Sequence, residues 1–138
     1  MKFRAYIDGS SIGNPGEAGY GVVLEDEKGD ILKQFGQYIG RATNNVAEYR
    51  GLLACLDLVQ QYGSCFLIIH SDSQLLVNQM KGIYRVRKPH LATLHHKALN
   101  MIKNGHIHLD IRYIPRKKNR KADELARRAV LLKSEILI

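Results

Sequence analysis

The chain is poor in the features that would take it out of an ordinary reducing, aqueous setting. It has two cysteines in 138 residues, Cys55 and Cys65. Cys55 falls on the apolar face of a predicted helix and Cys65 opens an apolar run, so both read as small buried hydrophobes rather than as a disulfide framework. No apolar run approaches the ~20 residues that cross a bilayer; Phe66-Leu67-Ile68-Ile69 is typical of the longest. The chain goes from Met1-Lys2-Phe3-Arg4 straight into a strand pattern, so no signal peptide is expected. The expectation is a cytoplasmic protein with no membrane partner. Internal repeats, linkers and low-complexity segments are also missing. The length suits one domain, residues 1–138, with 134–138 as a C-terminal tail. Met1 favours a free-standing chain, and a monomer is the default expectation.

Negative charge is also scarce. There are 13 Asp and Glu against 21 Lys and Arg, a formal net charge of +8. Arg112 to Lys133 alone holds nine basic residues and two acidic ones, Asp123 and Glu124. Such a balance favours a polyanionic partner, nucleic acid above all, over a merely solvated helix face. The six histidines lack further His or Cys at ligand spacing, which argues against a zinc site.

Hydrophobic periodicity supplies the elements. Residues 3–8, 19–26 and 31–39 alternate as three strands of an antiparallel meander. A helix follows, opened by Asn44 or Asn45 as its cap and closed near Tyr62 before Gly63. Cys65 to Ser71 suits a strand buried on both faces. Helices are expected at about 74–81 and 90–103, a fifth strand at 107–112, and a last helix from Lys118 or Asn119. Strands joined by helices run parallel, so the fold class is α/β, a five-stranded mixed sheet with helices on both faces. The tail is expected to pack on the body or add a strand.

Within this frame four carboxylates stand out. Asp8 ends the first strand and Asp72 the buried strand. Glu48 and Asp123 each sit in the first turn of a helix. Glu48 also continues an apolar stripe through Leu52, Cys55 and Val59, so a partner is implied for it, either a basic side chain or a metal ion. The bland alternative is a stripe that ends there, with a solvated carboxylate near a helix start. Ligand crevices of open α/β sheets lie at the carboxyl ends of strands. Four acids converging there would repel unless a cation held them, and an all-oxygen set suits a hard cation. Turn or cap roles remain the alternative for each acid taken singly.

Four segments carry a resemblance: Asp8-Gly9-Ser10-Ser11-Ile12-Gly13-Asn14-Pro15-Gly16, Thr43-Asn44-Asn45-Val46-Ala47-Glu48, Ser71-Asp72-Ser73-Gln74, and Asn119-Arg120-Lys121-Ala122-Asp123-Glu124-Leu125-Ala126. In this order and number they resemble type 1 ribonuclease H. The resemblance implies that family's fold and an endonuclease cutting the RNA strand of RNA/DNA hybrids, with 5′-phosphate and 3′-hydroxyl products. It implies Asp8, Glu48, Asp72 and Asp123 as catalytic ligands of two Mg²⁺ or Mn²⁺ ions, with Asp8 bridging and Glu48 near the 2′-hydroxyl. Gly9, Ser10, Asn14, Asn44, Asn45 and Gln74 would line the minor groove, and Arg41, Thr43 and Lys88 a phosphate of the DNA strand. The loop before Asp123 has no histidine. It resembles a subgroup with arginine there, which makes Arg116 the stand-in. The basic handle found in some members is missing between Lys81 and Pro89. Two other readings stay open: a catalytically silent module binding hybrid or duplex, and a related metal nuclease with another substrate.

Overall fold

A computed structural model describes residues 1–138. Six strands and four helices follow in the order β1 (Lys2–Gly13), β2 (Gly16–Glu25), β3 (Ile31–Ala42), α1 (Asn44–Gln60), β4 (Cys65–Ser71), α2 (Gln74–Met80), α3 (Pro89–Asn104), β5 (Ile107–Tyr113), α4 (Arg120–Leu132) and β6 (Ile136–Leu137). The sheet order is β5-β4-β1-β2-β3-β6. Strands β1–β3 are antiparallel, β1, β4 and β5 run parallel, and β6 closes the edge antiparallel to β3. The sheet thus has six strands where the periodicity indicates five. The sixth is the tail, whose two paired residues are too few to show an alternation.

Several boundaries also move. Gly9 to Gly13 is strand rather than loop, because β1 stays paired with β2 as far as Gly13 opposite Gly16. Its glycines disguise it, since glycine is depleted in strands. The turn is only Asn14-Pro15, a cis peptide. Strand β3 likewise runs on to Ala42. The cap of α1 is Thr43, whose hydroxyl accepts from the Val46 N–H at 3.2 Å, not Asn44 or Asn45. Glu48 therefore lies in the second turn. Asp8 lies within β1, but pairing of β1 with β4 ends at Ile7–Ser71, so Asp8 is the first β1 residue beyond the parallel pair.

The main core lies between one sheet face and α1. Ala5, Ile7, Val22, Leu52, Leu56, Val59, Leu67 and Ile69 are almost fully buried there. Helix α4 covers the other face over β1–β3, with Leu125 and Ala129 against Val23 and Ile136. It sits very close. A Cβ at Gly21 would lie 2.2 Å from the Ala122 carbonyl oxygen, and one at Gly36 2.4 Å from that of Leu125. Only glycine allows this approach, which sets where α4 begins and hence where Asp123 points. No helix is long and apolar enough to cross a membrane.

Candidate active site

A cavity of about 350 Å³ opens at the carboxyl end of β4, where β1 leaves its parallel pairing with that strand. Asp8, Glu48, Asp72 and Asp123 line it, together with Gly9, Ser10, Asn44, Asn45 and Arg116. No hydrophobic residue does. Oxygens of Asp8, Glu48 and Asp72 approach one another within 4.8 Å. Asp123 stands just outside that cluster, where Arg127 lies 3.3 Å and Arg116 3.7 Å from its two oxygens.

Each acid is placed by its own element. Asp8 is carried by the central strand and is 4% exposed. Glu48 comes from α1, which crosses β1 at Gly9 so closely that a Cβ there would meet the Glu48 nitrogen at 2.5 Å. In return the Gly9 N–H donates to Glu48 Oε1 at 2.9 Å. Asp72 follows β4 directly, and Ser73 caps α2 behind it through the Leu76 N–H. Asp123 lies in the first turn of α4. Buried Asn119 donates its amide to the Ile7 carbonyl at 2.8 Å and reaches Asp72 Oδ2 at 3.5 Å, so it ties β1 to the start of α4. The sequence gives Asn119 only a helix-start role, yet its side chain makes no cap. Its distance of 112 residues from Ile7 left no local signal to find it.

The electrostatics are those of a site short of positive charge. Burial, then the charges of Glu48 and Asp72, then carboxyl contacts with Asp123 and Glu48 push the Asp8 carboxyl far above the usual range. Burial does the same to Glu48, partly offset by the Gly9 N–H. Glu48 Oε2 is buried and has no hydrogen-bond partner. An acceptor cannot stay buried and ionised without a donor or a cation. The donor set around it is all oxygen, so the residues fit a hard divalent cation.

Of the other indicated residues, the structure gathers Gly9, Ser10, Asn44, Asn45 and Arg116 at the cavity. Asn14 is adjacent, its Oδ1 accepting from the Asn44 N–H at 3.1 Å. Thr43 is used as a cap but keeps its hydroxyl proton free to donate. Arg41, Gln74 and Lys88 are exposed and lie outside the cavity wall. Lys88 precedes α3 without a side-chain bond to it.

A mixed sheet with this helix arrangement and a carboxylate cavity at its parallel strand ends defines a ribonuclease H-like domain. Residues 6–129 match the reverse transcriptase-like family. Over 131 residues the chain is 42% identical to the bifunctional protein Rv2228c of Mycobacterium tuberculosis, covering 94% of this chain and 36% of that protein. It is 38% identical to ribonuclease HI of Halobacterium salinarum over 94% of this chain and 64% of that one. The structure of LC11-RNase H1 in complex with an RNA/DNA hybrid superposes with a TM-score of 0.91 at 39% identity, over 95% of this chain and 98% of that one. RNase H1 of Halobacterium salinarum gives 0.89 at 36% identity, over 97% and 100%. The chain belongs to the reverse transcriptase-like family, within its type 1 ribonuclease H group. It spans about a third of the mycobacterial relative's length and just under two thirds of the halobacterial one's.

Proposed function

We propose that the chain is an endonuclease that hydrolyses the RNA strand of RNA/DNA hybrids, leaving 5′-phosphate and 3′-hydroxyl ends. The observation that carries this reading is the cluster of Asp8, Glu48 and Asp72 oxygens within 4.8 Å, one of whose members has a buried oxygen with no donor. Such an arrangement is costly for a module that only binds phosphates, which would gain from bases there instead. The complex of LC11-RNase H1 with an RNA/DNA hybrid supports the choice of substrate.

Asp8, Glu48, Asp72 and Asp123 would hold two Mg²⁺ or Mn²⁺ ions. Bound there, such ions activate water and take up charge on the leaving oxygen. The chain's own residues do the rest. Gly9 holds Glu48 at the cavity wall, where its carboxylate meets the 2′-hydroxyl that distinguishes RNA from DNA. Asn119 fixes the spacing of β1 and Asp72. Gly9, Ser10, Asn14, Asn44, Asn45 and Gln74 read the minor groove by shape. Arg41, Thr43 and Lys88 grip a phosphate of the DNA strand, with little sequence preference expected. Arg116 stands where other members carry a histidine and, as a fixed positive charge beside Asp123, holds phosphate charge during turnover or helps release product. The protein works as a cytoplasmic monomer.

The test is cleavage of a labelled hybrid with Mg²⁺, Mn²⁺ or chelator, beside RNA/RNA and DNA/DNA duplexes. Metal-dependent cutting of the RNA strand of the hybrid alone is expected, and Asp72→Asn should retain the fold but lose at least about a hundredfold in rate. Binding without cutting in either metal would refute the reading in favour of a silent module.

A further inference from the structure

Helix α4 covers only part of its side of the sheet. It packs on β1, β2 and β3, while β4 and β5 carry solvent-facing side chains there. In the parallel register Phe66 lies beside His108, and Tyr6 beside His70. Both are stacked pairs, with ring centroids 4.7 Å and 4.8 Å apart and planes inclined by 22° in each. Phe66 is 58% exposed although nothing in the fold requires an aromatic in water. Exposed Arg4 and Arg112 flank the rings, and Arg112 already neutralises Asp110 at 2.7 Å.

This surface leads to the carboxylates. Alternate residues of a strand share a face, so Arg4, Tyr6 and Asp8 form one line along β1. Where the line passes Tyr6, a second cavity of about 320 Å³ opens, walled by Lys117, Lys118, Arg120 and Lys121 with Glu25. The loop that supplies these bases also supplies Arg116 to the carboxylate cavity. The Phe66–His108 rings are exposed and the Tyr6–His70 rings half-buried. An exposed ring pair, a cationic margin and a basic groove are what single-stranded nucleic acid uses, since bases stack on the rings and phosphates follow the bases. A protein-docking patch would instead present a contiguous apolar centre. Here Ile68 is the only aliphatic side chain between the two ring pairs.

We infer that the Tyr6–His70 and Phe66–His108 face, with the Lys117–Lys121 groove, holds unpaired RNA that continues from the strand at the carboxylates beyond the end of a hybrid. This rests on the proposed function, because RNA is the strand that meets Asp8 and Asp72 under that reading. Hybrid ends with an RNA overhang would then be preferred substrates, held at a place that fully paired hybrid does not touch.

The test uses the full chain in chelator, where nothing is cut. Fluorescence anisotropy is measured with a labelled single-stranded RNA and with hybrids carrying an RNA overhang, a DNA overhang or blunt ends. The RNA overhang should tighten binding at least about fivefold over the blunt hybrid, and a Phe66→Ala/His108→Ala double variant should abolish that gain. Both sites are on the surface, so the variant should keep its melting temperature and its cleavage of blunt hybrid with metal. Lys117→Glu should also weaken the RNA overhang complex. If the overhang adds nothing, if a DNA overhang adds as much, or if the double variant keeps the gain, the inference is overturned. Capture of a protein by this face without RNA binding would overturn it too. Cutting of blunt hybrid with no overhang effect would leave the proposed function standing alone. RNA binding lost in the double variant, with no cutting of any hybrid, would sink the function and leave this surface.

Discussion

Replacing Asp8 by Asn should make the metal-free protein more stable while destroying its site. Oxygens of Asp8, Glu48 and Asp72 lie within 4.8 Å. Two unit charges that far apart repel by about 3.5 kcal/mol at an effective dielectric of ~20. Partial protonation and water at the cavity mouth reduce the net cost to about 1–2 kcal/mol. For a domain of this size that is a rise in Tm of about 3–8 °C. The sign follows from linkage. Asp8 and Glu48 both have folded pKa values above their ordinary values of 3.8 and 4.5. Protonation therefore stabilises the fold, and that contribution is lost as pH rises from about 4 through the raised values. The advantage of Asp8→Asn should thus be largest near pH 8 and vanish near pH 4. Thermal unfolding across that range, in chelator and then in Mg²⁺ or Mn²⁺, measures it. Metal should raise the Tm of the native chain more at pH 8 than at pH 5, and raise that of Asp8→Asn far less. A variant less stable than the native chain at pH 8 in chelator, or equally stabilised by metal, would refute the picture of an electrostatically strained cation site.

Three other substitutions probe neighbouring parts. Arg116→Ala should lower turnover about tenfold or more while changing hybrid affinity less than about threefold, because its exposed guanidinium faces Asp123 at 3.7 Å; equal losses in steady-state kcat and binding would make it a plain phosphate contact. Gly9→Ala should lower Tm by about 5–10 °C and suppress cleavage, since its Cβ must displace the α1 backbone at Glu48; near-native melting and rate would show that α1 can move aside at no cost. Deleting residues 134–138 removes buried Ile136 and the pairing with β3, and should lower Tm by at least about 5 °C; an unchanged calorimetric Tm would show that the tail contributes nothing.

Much of the fold was legible because its elements repeat on the right period. Strand β4 and helices α1 and α4 show their buried faces directly in Leu67 and Ile69, in Leu52 and Val59, and in Leu125 and Ala129. What stayed hidden was decided by backbone and by distant partners. The second half of β1 reads as a loop because its glycines and serines are kept in register by β2. Strand β6 is too short to carry a period. Thr43, rather than Asn44, caps α1 because β3 runs on to Ala42 and brings the chain in one residue earlier. At the site, the four carboxylates could be singled out, since Glu48 interrupts an apolar face and Asp72 follows an apolar strand, although β4 is buried on one face only and leaves Phe66 exposed on the other, not buried on both as its continuous apolar run suggests. Asn119 could not, because its role depends on a carbonyl 112 residues away.

The close approaches explain why the cavity keeps its strained charge. Gly9 lets α1 lie against β1, and Gly21 and Gly36 let α4 lie against β2 and β3. Both helices are therefore fixed by backbone contact rather than by adaptable side chains, and neither Glu48 nor Asp123 can relax far from Asp8. A looser seat would let the acids drift apart into water and relieve their repulsion, but it would also dissolve the oxygen cage that a cation requires. The repulsion is carried by the well-packed core beneath, where Ala5, Ile7, Leu52 and Leu56 are fully buried. Stability gained on the α1 side of the sheet is thus what permits a site that is unfavourable until a cation enters it.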